Sequence, residues 1–166
     1  MFELPPVPAP EGLHPLVVHF PIALLFTAPV FMVLGFLLPR GVSFRVAALI
    51  LMVLGTVGIL AAISTGEDAE EIAEAVAAAQ KTVGSHEAMA KTSRTVFLVL
   101  TGLYFVVAFG PRLVGKQLKF GARVLLHTAF LAGYLLGCMQ LARTAHEGGR
   151  IVHEHGVRAW APAEPE

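Results

Sequence analysis

Charged residues are scarce in this chain: only 14% of its 166 residues are Asp, Glu, Lys or Arg, against about 25% in a typical soluble domain. Hydrophobic residues make up 55%, and the mean hydropathy is +0.70. A soluble domain of this length could not bury so much apolar surface in one small core, because a small fold keeps too large a surface for its volume. The composition therefore predicts an integral membrane protein with the lipid bilayer as its main partner.

Other absences narrow the range of functions. A single cysteine, Cys138, excludes an internal disulfide, and the lack of a Cys-x-x-Cys-His motif argues against a covalently attached c-type haem. The net charge is zero, so no basic field points to nucleic acid. No Lys or Arg precedes Arg40, so the positive region of a secretory signal is missing and the first apolar run should be retained. Neither a nucleophile elbow nor a glycine-rich phosphate loop is present, and no enzyme class is predicted.

Four long apolar runs are present, and about 20 helical residues suffice to cross a hydrocarbon core of about 30 Å. The third run is the shortest and should begin earlier than its uncharged part. The sequence predicts an all-α fold, a four-transmembrane-helix bundle in one membrane domain over residues 1–166. The predicted spans are about 14–38, 43–65, 93–110 and 121–142.

Prolines and small residues within these runs predict how the helices pack. Pro21 and Pro29 each remove a backbone donor, which a bilayer helix tolerates when a neighbouring helix satisfies the freed carbonyl. Small residues recur at four-residue spacing in the second and fourth runs, a pattern that lets membrane helices approach closely. These residues are Gly58, Ala62 and Gly66 in the second run, and Ala129, Gly133 and Gly137 in the fourth.

The short loops carry the charge signal for orientation. Residues 39–45 and 111–123 hold six of the twelve basic residues and none of the twelve acidic ones. Positive charge in short loops marks the cytoplasmic side. Both termini and the segment 66–90 are then predicted to be extracytoplasmic.

The long segment between the second and third runs has a helical pattern of its own. Apolar residues recur at three- and four-residue spacing from Ala69 to Val83, with glutamates between them. We expect an extracytoplasmic amphipathic helix at about 67–83, lying on the outer membrane surface. Gly84 should end it, and residues 147–166 should form a tail after the fourth span.

Histidine is the one residue type that suggests chemistry. Six of the seven histidines fall at or beyond the outer ends of the helices, and only His127 lies near the cytoplasmic end. Neutral imidazole is a common ligand of haem iron, zinc and copper. The candidate metal ligands are His14, His19, His86, His146, His153 and His155.

Several motifs resemble one family. The opening His14-Pro-Leu-Val-Val-His-Phe-Pro-Ile-Ala-Leu is similar to the start of the bacterial membrane proteins grouped as domain of unknown function 2231. Thr65-Gly66-Glu67-Asp68 and His86 continue the resemblance. The ending Gly148-Gly-Arg-Ile-Val-His-Glu-His-Gly-Val157 resembles the family pattern Gly-Gly-x-Leu-Val-Tyr-x-His-Gly-Val, with His153 in the place of the usual tyrosine.

The resemblance implies a four-helix fold in the bacterial inner membrane, without implying an activity. It also selects the histidines that match the family pattern as candidate cofactor ligands. These are His14, His19, His86 and His155.

Three hypotheses follow for the histidines. In the first, imidazoles from different helices hold one or two b-type haems near the outer surface, in an electron-transfer subunit whose partner is a cytochrome or a quinone. In the second, they bind zinc or copper, partly through His153-Glu154-His155. In the third, they are hydrogen-bonded structural residues of a scaffold or a subunit in a homo- or hetero-oligomer.

Overall fold

The structure, a computed structural model, describes residues 10–39, 41–115 and 118–157, and its regular elements there are all α-helices. Helices α1 and α2 together form the first membrane span, and α3, α4 and α5 each form one more. The predicted all-α bundle with four membrane-spanning helices is therefore confirmed. The elements are α1 (Pro10–Val17), α2 (His19–Leu37), α3 (Val42–Glu74), α4 (Gln80–Leu113) and α5 (Phe120–His153).

The four spans close into a ring. Helix α2 packs on α3, α3 on α4, α4 on α5, and α5 back on α2, while α1 packs on α3. The first span and α4 are therefore diagonally opposed across the bundle. Side chains directed inward from α1 and α4 can meet on the bundle axis.

The helices differ from the predicted segments mainly in length. No separate helix covers the predicted 67–83, because α3 continues to Glu74 and α4 begins at Gln80 after a short turn. Gly84, expected to end a helix, lies inside α4. Helix α5 extends well beyond the predicted end at residue 142, and α4 passes through Pro111 to Leu113. Hydropathy marks the part of a helix in lipid, whereas the helix itself continues into water.

Helix length defines two ends of the bundle. Helix α3 has 33 residues and α4 and α5 have 34 each, or roughly 50 Å against a hydrocarbon core of about 30 Å. We call the end with Arg45, Lys119 and Arg123 the basic end, and the end with His14 and His86 the histidine end. Arg40 and Lys116 of the two basic loops, and residues 158–166 of the predicted tail, lie outside the described residues.

The two prolines of the first span have different effects, and only Pro29 matches the prediction that a neighbouring helix satisfies the freed carbonyl. Pro21 cannot donate to the carbonyl of Val17, and the helix is interrupted at Val18, between α1 and α2. Pro29 leaves the Leu25 carbonyl without its usual donor, and the Tyr134 hydroxyl donates to that oxygen at 2.9 Å. A neighbouring helix thus satisfies the freed carbonyl at Pro29.

The interior is small and the outer surface is apolar. Leu25, Met52 and Phe97 are fully buried in the central cluster. A Cβ atom at Gly55 or Gly58 would contact Leu25 or Pro21, so the small residues of α3 do allow close approach to the first span. Large apolar side chains are exposed along the spans, for example Leu125 at 72% and Leu136 at 66%, as expected for a surface covered by lipid.

Candidate functional site: a histidine pair at one end of the bundle

His14 is fixed by helix α3. Its Nδ1 atom lies 2.9 Å from the carbonyl oxygen of Ala62 and 3.4 Å from the hydroxyl of Thr65. A carbonyl can only accept, so Nδ1 carries the hydrogen and donates it. In the neutral ring, Nε2 then has a free lone pair.

His86 is fixed by helix α5 in the same way. Its Nδ1 atom donates to the carbonyl oxygen of Thr144 at 2.9 Å. The Thr144 hydroxyl donates to the Gln140 carbonyl at 3.0 Å, and it lies 3.0 Å from the hydroxyl of Ser93 on α4. The Thr144 hydroxyl has one hydrogen and donates it to Gln140, so Thr144 is the acceptor and Ser93 is the donor in the hydroxyl pair. This pair joins α4 to α5 on the membrane side of His86.

Both rings lie against a glycine four residues after the accepting carbonyl. A Cβ at Gly66 would be 3.2 Å from Cε1 of His14, and one at Gly148 would be 3.0 Å from Cε1 of His86. Each carbonyl in a helix points toward the residue four positions later. A side chain at that later residue would crowd a histidine ring that donates to the second lone pair of the carbonyl oxygen. Glycine at these positions leaves room for both rings to approach the carbonyls closely.

The two fixed rings meet inside the bundle. The ring centroids of His14 and His86 are 6.3 Å apart, with planes at 85°. The rings come from diagonally opposed helices, and each is only partly exposed. The structure thus brings together two of the four histidines that match the family pattern, in equivalent hydrogen-bonded settings.

A cavity of about 480 Å³ adjoins the pair. His14 and His86 line it, together with aliphatic side chains from all four spans such as Ile59, Val83 and Leu141. Its volume falls within the range of about 300–1,000 Å³ typical of small-molecule and cofactor sites.

The other candidate histidines have different surroundings. His19 and His153 line the same cavity but are exposed, and His146 is exposed and does not line it. The Nε2 atom of His155 lies 2.9 Å from the hydroxyl of Thr82. Among the described residues, no three or more His, Cys, Asp or Glu side chains are placed to hold one metal ion.

His155 belongs to a small cap over the histidine end. Its partner Thr82 is buried near the start of α4, and Val157 packs in a cluster with Ala79 and Val83. The chain after α5 is thereby held against the beginning of α4. The family's closing motif therefore has a structural role in this contact.

Sequence reasoning missed the groups that fix the two rings. The carbonyls of Ala62 and Thr144 carry no sequence signal, since every residue has a carbonyl. The available signal was the glycine in each family motif, Gly66 and Gly148, which we interpreted only as a packing residue or not at all.

These features define a multi-pass membrane helix bundle with a half-buried histidine pair at one end. The family model described as "Predicted membrane protein (DUF2231)" matches residues 10–161, so the chain belongs to that family. The chain matches none of the curated proteins and none of the solved structures with which it was compared.

Proposed function

We propose that His14 and His86 are the two axial ligands of one b-type haem, and that the protein transfers electrons at the membrane surface where this pair lies. The observation that carries the proposal is the pairing itself: two imidazoles from opposite helices, each fixed through Nδ1, with both Nε2 atoms left for a metal.

The hydrogen bonding supports a ligand role. Histidines that bind a metal through one nitrogen almost always donate the other N–H to a carbonyl, a carboxylate or water, which fixes the tautomer and the ring orientation. His14 and His86 both have this arrangement, and both donate to main-chain carbonyls. A purely structural histidine needs no such matched pair.

The number and spacing of the ligands favour haem over zinc or copper. Structural zinc takes four protein ligands and catalytic zinc three, whereas haem iron needs only axial ligands because the macrocycle supplies four nitrogens. Metal–imidazole bonds of about 2 Å on opposite faces of an iron place the ring centres roughly 6 Å apart. The observed separation of 6.3 Å fits that requirement.

The position of the pair supports a site at the membrane boundary. Ala62 lies 17 residues along α3 from Arg45, and Thr144 lies 21 residues along α5 from Arg123; this is roughly 25–32 Å of helix, about one hydrocarbon thickness. With the basic end in the cytoplasm of a bacterium, as the charge distribution indicates, both termini and the histidine pair are extracytoplasmic. A haem there could exchange electrons with a cytochrome or with a quinone.

An absorption spectrum of the detergent-purified protein, before and after reduction with dithionite, tests the proposal. We expect the sharp reduced bands of a six-coordinate b-type haem, with about one haem per chain by pyridine haemochrome assay. His14→Gln and His86→Gln should each abolish these bands. The Gln amide can still donate to the Ala62 or Thr144 carbonyl, so these variants remove the ligand nitrogen and retain a donor.

Matched controls separate the histidines by role. His19→Gln, His146→Gln and His155→Gln should retain the haem spectrum. A colourless protein with stoichiometric zinc or copper would overturn the proposal in favour of a metal site. A colourless, metal-free protein that purifies with other subunits would overturn it in favour of a scaffold.

A further inference from the structure

The cavity beside the histidine pair has a charged side and an uncharged side. Its exposed lining residues on α3 and α4 are Glu67 and Lys91. Its exposed lining residues on the first span and on α5 carry no carboxylate, ammonium or guanidinium group; they are Pro15, His19, Ala145, Val152 and His153. The α3–α4 and α5–α2 contacts lie on opposite sides of the ring of helices, so the two sides of the cavity face in opposite directions.

The uncharged side is an opening between the first span and α5. Within the described part of the chain, α1 packs on α3 and has no comparable contact with α5. The first span and α5 are therefore separated at the histidine end, where both line the cavity. We call this opening, lined by Pro15, His19, Ala145 and Val152, the α1–α5 mouth.

The mouth lies at a depth where its surroundings are lipid. His19 belongs to the first membrane span and is exposed, as are its neighbours Leu16 at 54% and Phe20 at 68%. Gly35, whose carbonyl accepts a hydrogen bond from Arg45 at the basic end, is 16 residues further along α2, or roughly 24 Å. His19 is therefore inside a hydrocarbon core of about 30 Å, near its outer edge.

His19 is a polar group without a partner at this depth. Its imidazole has no hydrogen bond to any of the described residues. Ionisable side chains within membrane spans are costly, and they usually have a partner in the bundle or in a cavity. A neutral imidazole donates from one nitrogen and accepts at the other, so His19 suits a ligand with a hydroxyl or a carbonyl that arrives from the lipid.

We propose that the α1–α5 mouth binds the head group of a lipid-soluble quinone, and that this quinone is the electron-transfer partner of the histidine-pair site. A quinol hydroxyl donates to the accepting nitrogen of His19, and a quinone carbonyl accepts from its N–H group. The isoprenoid tail remains in lipid. His19 is five residues from His14, or roughly 7–8 Å along the span, so the head group is held beside the pair.

The assignment rests on the proposed function for its physiological role. Oxidation of one quinol to the quinone releases two electrons and two protons, so one quinol reduces the ferric haems of two chains. Binding at the mouth depends on His19 and the uncharged walls, and it can be measured whether or not the chain holds haem.

Depth and charge favour a quinone over two other occupants. The head group of a phospholipid lies at the boundary, at the level of His14 or beyond it, whereas His19 is closer to the middle of the bilayer. A soluble cytochrome approaches from water, and the water-facing charges of the cavity, Glu67 and Lys91, are on its other side.

Photoaffinity labelling with an azido-substituted decylubiquinone tests binding on the full-length chain in phosphatidylcholine nanodiscs. We expect label on peptides from the first span and α5 that contain His19 or Ala145, displaced by excess decylubiquinol. His19→Leu should weaken this displacement about three- to tenfold, the effect of one lost hydrogen bond. His146→Leu is the matched control, because His146 is exposed but does not line the cavity.

Stopped-flow reduction of the haem by decylubiquinol tests the partner role. His19→Leu should slow this reduction by a similar factor and leave reduction by dithionite unchanged, which separates a quinone site from a general loss of structure. Ala145→Leu should also slow it, because the larger side chain narrows the mouth. Ala142→Leu should not, since Ala142 is exposed on the same helix and does not line the cavity.

The results distinguish this assignment from the proposed function. A haem that dithionite reduces but decylubiquinol does not, in a chain that takes no displaceable label, would overturn the quinone site alone. A haem-free chain labelled as expected would support the quinone site and overturn the haem proposal. Displacement of the label by phosphatidylglycerol as effectively as by decylubiquinol would show a lipid head-group contact and overturn the quinone site.

Discussion

The hydroxyl of Tyr134 on α5 donates a 2.9 Å hydrogen bond to the carbonyl of Leu25 on α2, four residues before Pro29. Proline has no amide hydrogen, so this carbonyl lacks its usual intrahelical donor. Tyr134 is fully buried, and its ring packs edge-on against Phe97 with centroids 5.6 Å apart. Tyr134 thus compensates for Pro29 and contacts both α2 and α4, which lie diagonally opposite each other in the bundle.

The Tyr134–Leu25 hydrogen bond can be tested with a cycle of variants. Tyr134→Phe retains the ring and removes the donor, and we expect a loss of about 1 kcal/mol in the free energy of unfolding, in the upper range for hydrogen bonds within membrane proteins. Pro29→Ala restores a backbone donor to the Leu25 carbonyl. In that background, Tyr134→Phe should be clearly less destabilising.

Reversible unfolding by SDS in mixed micelles, followed by circular dichroism, provides the measurement. Tyr134→Phe in the natural background and in the Pro29→Ala background form the matched comparison. Equal destabilisation in both would show that the hydroxyl does not compensate for the proline.

The sequence alone predicted the architecture because the bilayer constrains it strongly. Four apolar runs predict four membrane-spanning helices, and the positive charge of two short loops predicts which side of the membrane those loops face. Both signals can be read directly from the sequence. The ends of the helices were predicted less well than their number. Residues 67–83 have an amphipathic pattern that a surface helix and the protruding ends of α3 and α4 satisfy equally well, and only the turn before Gln80 distinguishes them.

The histidine pair was predictable in identity but not in geometry. Family motifs selected His14 and His86 as part of a set of four, and the structure brings these two rings within 6.3 Å of each other. They also selected His19, which is exposed, and His155, which the structure joins to Thr82. A family motif selects residues, but the role of each residue depends on which helix packs against it. Contacts between the diagonally opposed α1 and α4 leave no periodic pattern in the sequence.

The glycines beside the histidine rings provide a second prediction. In Gly148→Ala, the new methyl group would lie 3.0 Å from Cε1 of His86, so the ring must shift by a few tenths of an ångström. Overpacking should offset the helix propensity that alanine gains over glycine, so we expect this variant to be about 1 kcal/mol less stable than Gly149→Ala and to have a lower haem content. Spectra and SDS unfolding on the same preparation measure both effects.

Gly149→Ala is the matched control, since nothing lies within 4 Å of a Cβ at that position. Both glycines are in α5, where alanine is the better helix former by up to about 1 kcal/mol. Gly149→Ala should therefore be neutral or stabilising, with an unchanged spectrum. If the two alanine variants behave alike, the close approach of His86 to α5 is not a determinant of the site.

The hydrogen bond between Ser93 and Thr144 provides the third prediction. Thr144→Val retains the side-chain shape and the carbonyl that accepts from His86, but it removes the acceptor of Ser93, which is 1% exposed. We expect a loss of about 1 kcal/mol in the free energy of unfolding, because Ser93 becomes a buried donor without a partner.

Thr92→Val serves as the control for Thr144→Val, because the exposed Thr92 hydroxyl donates to the Ala88 carbonyl within its own helix. It should have little effect on unfolding in SDS mixed micelles. Adding Ser93→Ala to Thr144→Val should recover part of the lost stability, since no donor is then left unpaired. The haem spectrum should survive in all three variants, because the His86 hydrogen bond goes to the main chain. Loss of the spectrum in Thr144→Val alone would mean that the hydroxyl pair, and not the carbonyl, sets the position of His86.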